Sequence, residues 1–295
     1  MKQRILFIIN PVAGVRRKDR IPRQIDKYLD HSRFDYDIIY TERRGHATQI
    51  AAEASAKGYD VVAVAGGDGS VNEAASGLVG TSTCLAIIPS GSGNGLARHL
   101  GYSIDIRSTL QIINAYHVGQ IDVCRVNGQY FFSLIGLGFD AFATKVFSRE
   151  ETRGFLTYAW SAIKSVSTFD AFEYSMDLPG YTVSGKAFMI NICNSNQYGY
   201  NVKVAPHASL SDGKMDVVVL DDIPKWKIPL AVLQVFTRTH THDRHFAVYR
   251  ADAVEVRTPQ YTHLQVDGET ASKDKAFHVE LLPKALNVLM HNHLN

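Results

Sequence analysis

The sequence predicts two domains: an α/β N-terminal domain on a parallel sheet, then a mainly antiparallel β-sandwich. Three observations predict this. From Arg4 to Gln120, strand-like and helix-like segments alternate at the spacing of a parallel layer. Past Gln120 the helical rhythm gives way to short β-type runs punctuated by Asn-Gly and Asp-Gly pairs. The chain has 295 residues, 45% hydrophobic and 20% charged, a globular composition with length enough for two ordinary domains. The first domain is placed at 1–122 and the second at 123–282, with the apolar tail 283–295 expected to return to the first.

In order, Arg4 to Asn10 reads as a strand, followed by a basic loop and a helix over Ile21 to Leu29. Tyr36 to Tyr40 is a second strand, and His46 to Lys57 a helix ended by Gly58. Asp60 to Ala65 and Cys84 to Pro89 are continuous apolar runs, as strands buried on both faces are. Between them, Ser70-Val71-Asn72-Glu73 has the form of a capping box that starts a helix at Ser70 and carries it to Leu78. A glycine-rich loop then leads to a helix ended near Gly101. In the second half, Gln120 to Val126 and Gln129 to Leu134 flank the turn pair Asn127-Gly128. A helical insert is expected over Gly154 to Thr168. Strands follow at Tyr181 to Ile192, Lys214 to Leu220, Ala253 to Arg257 and His263 to Asp267.

The formal net charge of +2 is too small to argue for a nucleic-acid partner. No segment approaches the ~20 apolar residues of a membrane-spanning helix. Cys84, Cys124 and Cys193 are odd in number and widely spaced in apolar runs, which reads as buried free thiols in a reducing cytoplasm.

The chemistry gathers in three loops that follow predicted strands, where a parallel sheet places its ligands. They are Asn10-Pro11-Val12-Ala13-Gly14, Gly66-Gly67-Asp68-Gly69-Ser70 and Ser90-Gly91-Ser92-Gly93-Asn94-Gly95. Glycines let backbone amides approach an anion without a Cβ in the way, and a helix N-terminus behind them favours negative charge. A nucleotide polyphosphate is the anion that would need all three. The known nucleotide motifs fail: Leu96 stands where a dinucleotide fingerprint needs Gly, and the chain has neither a GxxxxGK[ST] P-loop nor protein-kinase HRD and DFG sequences. Asp68 among these glycines would repel a nucleotide unless magnesium lies between them or the carboxylate handles a proton.

Asn10-Pro11 with Gly14, the run Gly66 to Glu73, and Pro89-Ser90-Gly91-Ser92-Gly93-Asn94 resemble the diacylglycerol kinase catalytic-domain family, which includes bacterial lipid kinases and sphingosine kinases. Gln120-Ile121-Asp122, Ser211-Asp212-Gly213 and Val266-Asp267-Gly268-Glu269 extend the likeness along nearly the whole chain. The resemblance implies an ATP-binding domain of phosphofructokinase-like topology, a β-sandwich second domain, and an active site to which both contribute. It assigns ATP binding to Asn10, Pro11, Val12, Ala13 and Gly14, to Thr41, to Gly66, Gly67, Asp68, Gly69, Ser70, Asn72 and Glu73, and to Ser92. Glu269, Asp267 and Asp68 become the catalytic carboxylates, with Glu269 the first choice as general base. ATP would bring Mg2+, and a second, structural Mg2+ is implied at Asp212, with main-chain oxygens of Ser209 and Lys214.

The implied partners are ATP and a membrane lipid met by peripheral contact at the inner face of the membrane. A homodimer is compatible with the resemblance. The chain departs from many bacterial diacylglycerol kinases at Gly95, where they have an acidic residue and sphingosine kinases a small one. The acceptor is therefore named only as diacylglycerol, a sphingoid base or a related long-chain alcohol. NAD kinases share the Gly-Gly-Asp-Gly core, and a non-catalytic lipid- or nucleotide-binding protein is the other rival. Two further features draw attention. His240-x-His242-x-x-His245 reads as a solvated loop or strand rather than a metal site. Phe147 to Phe172 fits a lipid-entry helix or a buried one equally well.

Overall fold

A computed structural model describes residues 2–12, 20–91, 93–147, 166, 168–197 and 202–291. The chain divides into two compact units, Met1–Val123 with Pro283–Asn295, and Cys124–Leu282.

In the first unit β1 (Gln3–Ile9), β2 (Phe34–Tyr40), β3 (Val61–Gly66) and β4 (Cys84–Pro89) lie in the order β2-β1-β3-β4, all parallel. Every residue of β3 and β4 is buried, which is why their sequences run apolar without alternation. The crossovers are α1 (Ile21–Tyr28), α2 (His46–Ala56) and α3 (Asp68–Ser76). Right-handed connections through this strand order put α1 on one face and α2 with α3 on the other. Two further helices, α4 (Gly95–His99) and α5 (Ile106–Ala115), follow β4. The sequence reading did not anticipate α5, which packs beside α1 through Asn114, bonded to Asp30 N and Tyr28 O.

The tail closes this unit. Val288 pairs in parallel with Leu85, the Tyr102 hydroxyl donates to Leu289 O at 2.8 Å, and Leu286, Val288 and Leu289 are buried.

The second unit is antiparallel. Its elements are the hairpin of β5 (Val118–Val126) with β6 (Gln129–Phe131), then β7 (Leu134–Gly138), α6 (Phe139–Phe147), β8 (Phe172–Leu178), β9 (Tyr181–Cys193), β10 (Met215–Asp221), α7 (Ile228–Thr237), β11 (Phe246–Ala251), β12 (Ala253–Val266) and β13 (Glu269–Leu289), the start of β5 and the end of β13 belonging to the first unit. The strand order is β11-β10-β9-β7-β12-β13, while β8 pairs with the first halves of both β9 and β12. Two long strands thus belong to two sheets, which folds the structure into a sandwich. Between the layers lie Met176, Ile190, Val217, Val219, Val256 and Phe277. The alternate residues Val218 and Leu220 face a second cluster with Phe139, Phe188, Ile228 and Phe246 under the helices. Burial of β10 on both faces follows from this alternation. Each such fully buried side chain contributes roughly 1.5–3 kcal/mol.

Several expectations are corrected. The third helix starts at Asp68, not Ser70, with Gly67 at its N-cap and no side-chain cap, so the capping box is not formed. Ala253–Val266 is one strand with register shifts between Arg257 and Thr262 and between His263 and Gln265, not two strands. The first shift surrounds Pro259, which cannot donate to a ladder. His240 is fully buried, with Nε2 2.7 Å from Val204 O, rather than solvated. Most of the expected insert at 154–168 lies outside the described residues. Of the Phe147–Phe172 stretch, Phe169 packs its ring 5.7 Å from Phe139 and 5.3 Å from Phe188. The three cysteines are free and buried, and burial pushes the Cys84 thiol up to about 11.

Candidate active site

Loops follow β1, β3 and β4 at the carboxyl edge of the parallel sheet, and described residues of all three are tied together. Asn10 ends β1, and its side-chain amide donates to the Ser70 hydroxyl at 2.8 Å, while its Oδ1 accepts from Val12 N. This explains why Ser70 does not cap α3: its oxygen is already engaged by the neighbouring loop. Thr41 follows β2 at the same edge, its amide donating to Ile9 O.

The loops after β3 and β4 meet backbone to backbone. A Cβ on Gly91 would sit 2.5 Å from the Gly67 Cα, so a side chain there must push the loops apart. Asp68 completes the tie, with Oδ2 accepting Asn94 N at 2.8 Å and Oδ1 accepting Gly95 N at 2.7 Å. A Cβ on Gly93 would lie 2.8 Å from that same Oδ2. Asn94 takes the left-handed conformation (φ 54°) and bonds Gly91 through both ends of its amide. Asn tolerates this backbone better than most residues.

Glu73 also does something other than expected. Its carboxylate accepts Gly45 N at 2.8 Å and Ala47 N at 3.3 Å, and its carbonyl accepts the Thr48 hydroxyl. It therefore satisfies the N-terminus of α2, where no side chain of that helix does so. Gly69 and Asn72 lie on the first turns of α3. Pro11 and Val12 lead away from β1, with Val12 89% exposed. Ala13, Gly14 and Ser92 fall outside the described residues.

In the second unit Asp267 and Gly268 form a two-residue hairpin turn between β12 and β13, with φ of 47° and 82° and Val266 paired to Glu269. Asp267 is held on every side. Its Oδ1 accepts Ser133 N (2.8 Å) and Leu134 N (3.0 Å), its Oδ2 accepts Phe132 N (3.0 Å), and its own amide donates to Leu134 O. Glu269, the next side chain beyond Gly268, is exposed.

Behind this turn lies a polar network that the sequence reading missed. Gly268 N donates to Gln265 Oε1 at 2.7 Å. Gln265 Nε2 and Asn191 Nδ2 both donate to Asp140 Oδ2, at 2.9 and 2.7 Å. All three side chains are buried, Gln265 and Asn191 completely. Buried polar groups need such partners, and the network meets this except at Asn191 Oδ1, which has none among the described residues. The available signal was Asn191 and Gln265 interrupting otherwise apolar strand stretches.

Ser209, Asp212 and Lys214 lie on the loop before β10, which β9 and β7 separate from β12 in the sheet order. Asp212 Oδ1 accepts Lys214 N at 3.1 Å, Oδ2 pairs with the Arg250 guanidinium, and Ser209 Oγ accepts Ser211 N. Arg250 also reaches buried Asp216 at 3.0 Å, whose carboxyl is raised by burial against the opposing pull of Arg250. The negative charge of this loop is met from within by Arg250. Among the described residues no three His, Cys, Asp or Glu side chains gather as a metal site. The magnesium set that the resemblance implies, the Asp212 carboxylate with main-chain oxygens of Ser209 and Lys214, would share that carboxylate with Arg250.

Comparison with known proteins agrees with this layout. The diacylglycerol kinase catalytic domain matches residues 4–126, and the YegS C-terminal NAD kinase beta sandwich-like domain matches 133–290. A diacylglycerol kinase of Bacillus subtilis (strain 168) is 27% identical over 273 residues, covering 90% of each chain. One from Staphylococcus saprophyticus is 26% identical over 285 residues, covering 92% of this chain and 91% of the relative. The crystal structure of a diacylglycerol kinase from Bacillus anthracis str. Sterne has the same fold, with a TM-score of 0.76 at 22% identity over 99% of this chain and 98% of that one. The chain belongs to the diacylglycerol kinase catalytic-domain family, kinases whose phosphate acceptor is an alcohol.

Proposed function

We propose that this protein transfers the γ-phosphate of MgATP to the hydroxyl of a membrane lipid, with Glu269 as general base. The observation that carries the reading is the hairpin turn: Asp267 binds three backbone amides, which fixes the turn, and Glu269 follows Gly268 with an exposed side chain. The lipid hydroxyl oxygen forms a bond to the γ-phosphorus as the bond from that phosphorus to the β-bridging oxygen breaks. ADP leaves and the hydroxyl proton passes to Glu269. Phosphoryl transfer of this kind depends mainly on positioning and charge neutralisation, and a placed base adds ~10²–10⁴ in rate.

Magnesium enters with ATP as part of the substrate. The loops around Asn10, Gly66 to Ser70 and Gly91 to Asn94 hold the polyphosphate, with Asp68 fixing the two glycine loops in register. The names of relatives at 26–27% identity, both diacylglycerol kinases, support a lipid acceptor.

Glu269→Gln tests the assignment. Turnover should fall by at least ~10²-fold with the melting temperature and ATP affinity unchanged. Near-normal turnover would remove Glu269 from the proton transfer.

A further inference from the structure

A second surface of the sandwich unit lies outside the site described above. A single 3₁₀ turn, Lys225–Lys227, leads directly into α7. Trp226, Leu230 and Leu233 recur at the spacing of one helix face and are 76%, 54% and 56% exposed. The opposite face packs Ile228 and Ala231 into the core beside Val218 and Phe246. No charged residue occurs from Ile228 to Thr237. A helix on a protein surface normally turns polar residues outward, and this one turns out apolar ones.

The charges lie around the apolar face instead of on it. From Lys225 to Arg244 the sequence has Lys225, Lys227, Arg238 and Arg244 against the single acid Asp243. Asp243 is occupied internally, accepting Gln234 Nε2 at 2.8 Å and His245 N at 2.9 Å. Lys225 pairs with Asp170, and Lys227 sits 5.5 Å from the centre of the Trp226 ring. A pocket of about 420 Å³ opens beside this face, lined by Ile223 and Phe246 on its apolar side and by Lys227, His242 and Arg244 on its polar side.

We propose that the Trp226–Leu230–Leu233 face, with Lys227, Arg238 and Arg244 around it, docks the protein on an anionic lipid bilayer. The match is one of chemistry. Indole prefers the bilayer–water interface, leucine the acyl region beneath it, and lysine and arginine the phosphate level, where each cation is attracted by the negative leaflet. This surface rests on the lipid-kinase reading for its purpose, since an enzyme acting on a bilayer component must meet the bilayer. It adds the place of contact.

The test uses the full chain, without ATP, and vesicles of phosphatidylcholine alone or with roughly one third phosphatidylglycerol. Wild type should sediment with the anionic vesicles, and Trp226→Ser combined with Leu230→Ser and Leu233→Ser should lower its partition at least ~10-fold with the melting temperature unchanged. Lys227→Gln with Arg244→Gln should erase the preference for the anionic vesicles. The chain has two tryptophans, so in Trp160→Phe the emission of Trp226 alone should shift to the blue on binding. Unaltered binding of the triple variant, or unmoved Trp226 emission on bound vesicles, overturns the proposal. Binding as expected with no lipid phosphorylated leaves the docking surface standing and removes the proposed activity. Phosphorylation of detergent-dispersed lipid without vesicle binding does the reverse.

Discussion

Three backbone amides converge on the Asp267 carboxylate and fix its hairpin turn. Asp267 holds the start of β7 at Phe132, Ser133 and Leu134, and a charged acceptor is worth more in that position than a neutral one. Asp267→Asn keeps the left-handed turn, which Asn tolerates, but one of its side-chain ends becomes a donor facing an amide. The variant should lose about 2–4 kcal/mol of stability in urea unfolding. Unchanged stability would show that these bonds do not hold the turn. The Asp-Gly pair was legible in the sequence as a turn, and so were the glycine clusters at Gly66 and Gly91. The partners of Asp267 lie some 130 residues earlier in the chain, and no local pattern reports them. The Asp140–Asn191–Gln265 network was hidden for the same reason, being assembled from α6, β9 and β12.

At the scale of single elements, the strands of the parallel sheet were the most legible. Cys84–Pro89 is a fully buried strand with the boundaries its apolar run suggests. The helix after β3 was misread because Ser70 and Glu73 satisfy a local pattern while their actual partners are Asn10 and the start of α2. Tertiary competition removed both halves of the capping box. Helix α7 escaped notice because it is apolar on its outward face as well as its inward one, which leaves no helical periodicity to see. The role of Glu73 gives a direct expectation. Glu73→Ala leaves Gly45 N and Ala47 N without their acceptor, and should lower stability by roughly 1–2 kcal/mol while sparing the loops at Gly67 and Gly91. Chemical denaturation measures it, and a change within error would mean that water serves α2 equally well.

At the scale of the whole molecule, the first unit is completed by residues from the far end of the chain. Leu286, Val288 and Leu289 are buried there, and Gly80 N donates to Ala285 O while Met290 N donates to His117 O. Their removal strips an edge from β4 and takes three buried side chains out of the core, each worth roughly 1.5–3 kcal/mol. Against a typical domain stability of ~5–15 kcal/mol, deleting 283–295 should leave the first unit open to proteolysis at room temperature. A truncated chain as protease-resistant as the full one would contradict this dependence. The phosphate acceptor can be identified in a single assay. Purified protein is incubated with labelled MgATP and, in parallel, a total lipid extract or NAD. Label is expected in a chloroform-soluble phospholipid that mass spectrometry identifies as a phosphorylated long-chain alcohol, and none in NAD. Robust labelling of NAD with no lipid product would contradict the lipid-kinase reading.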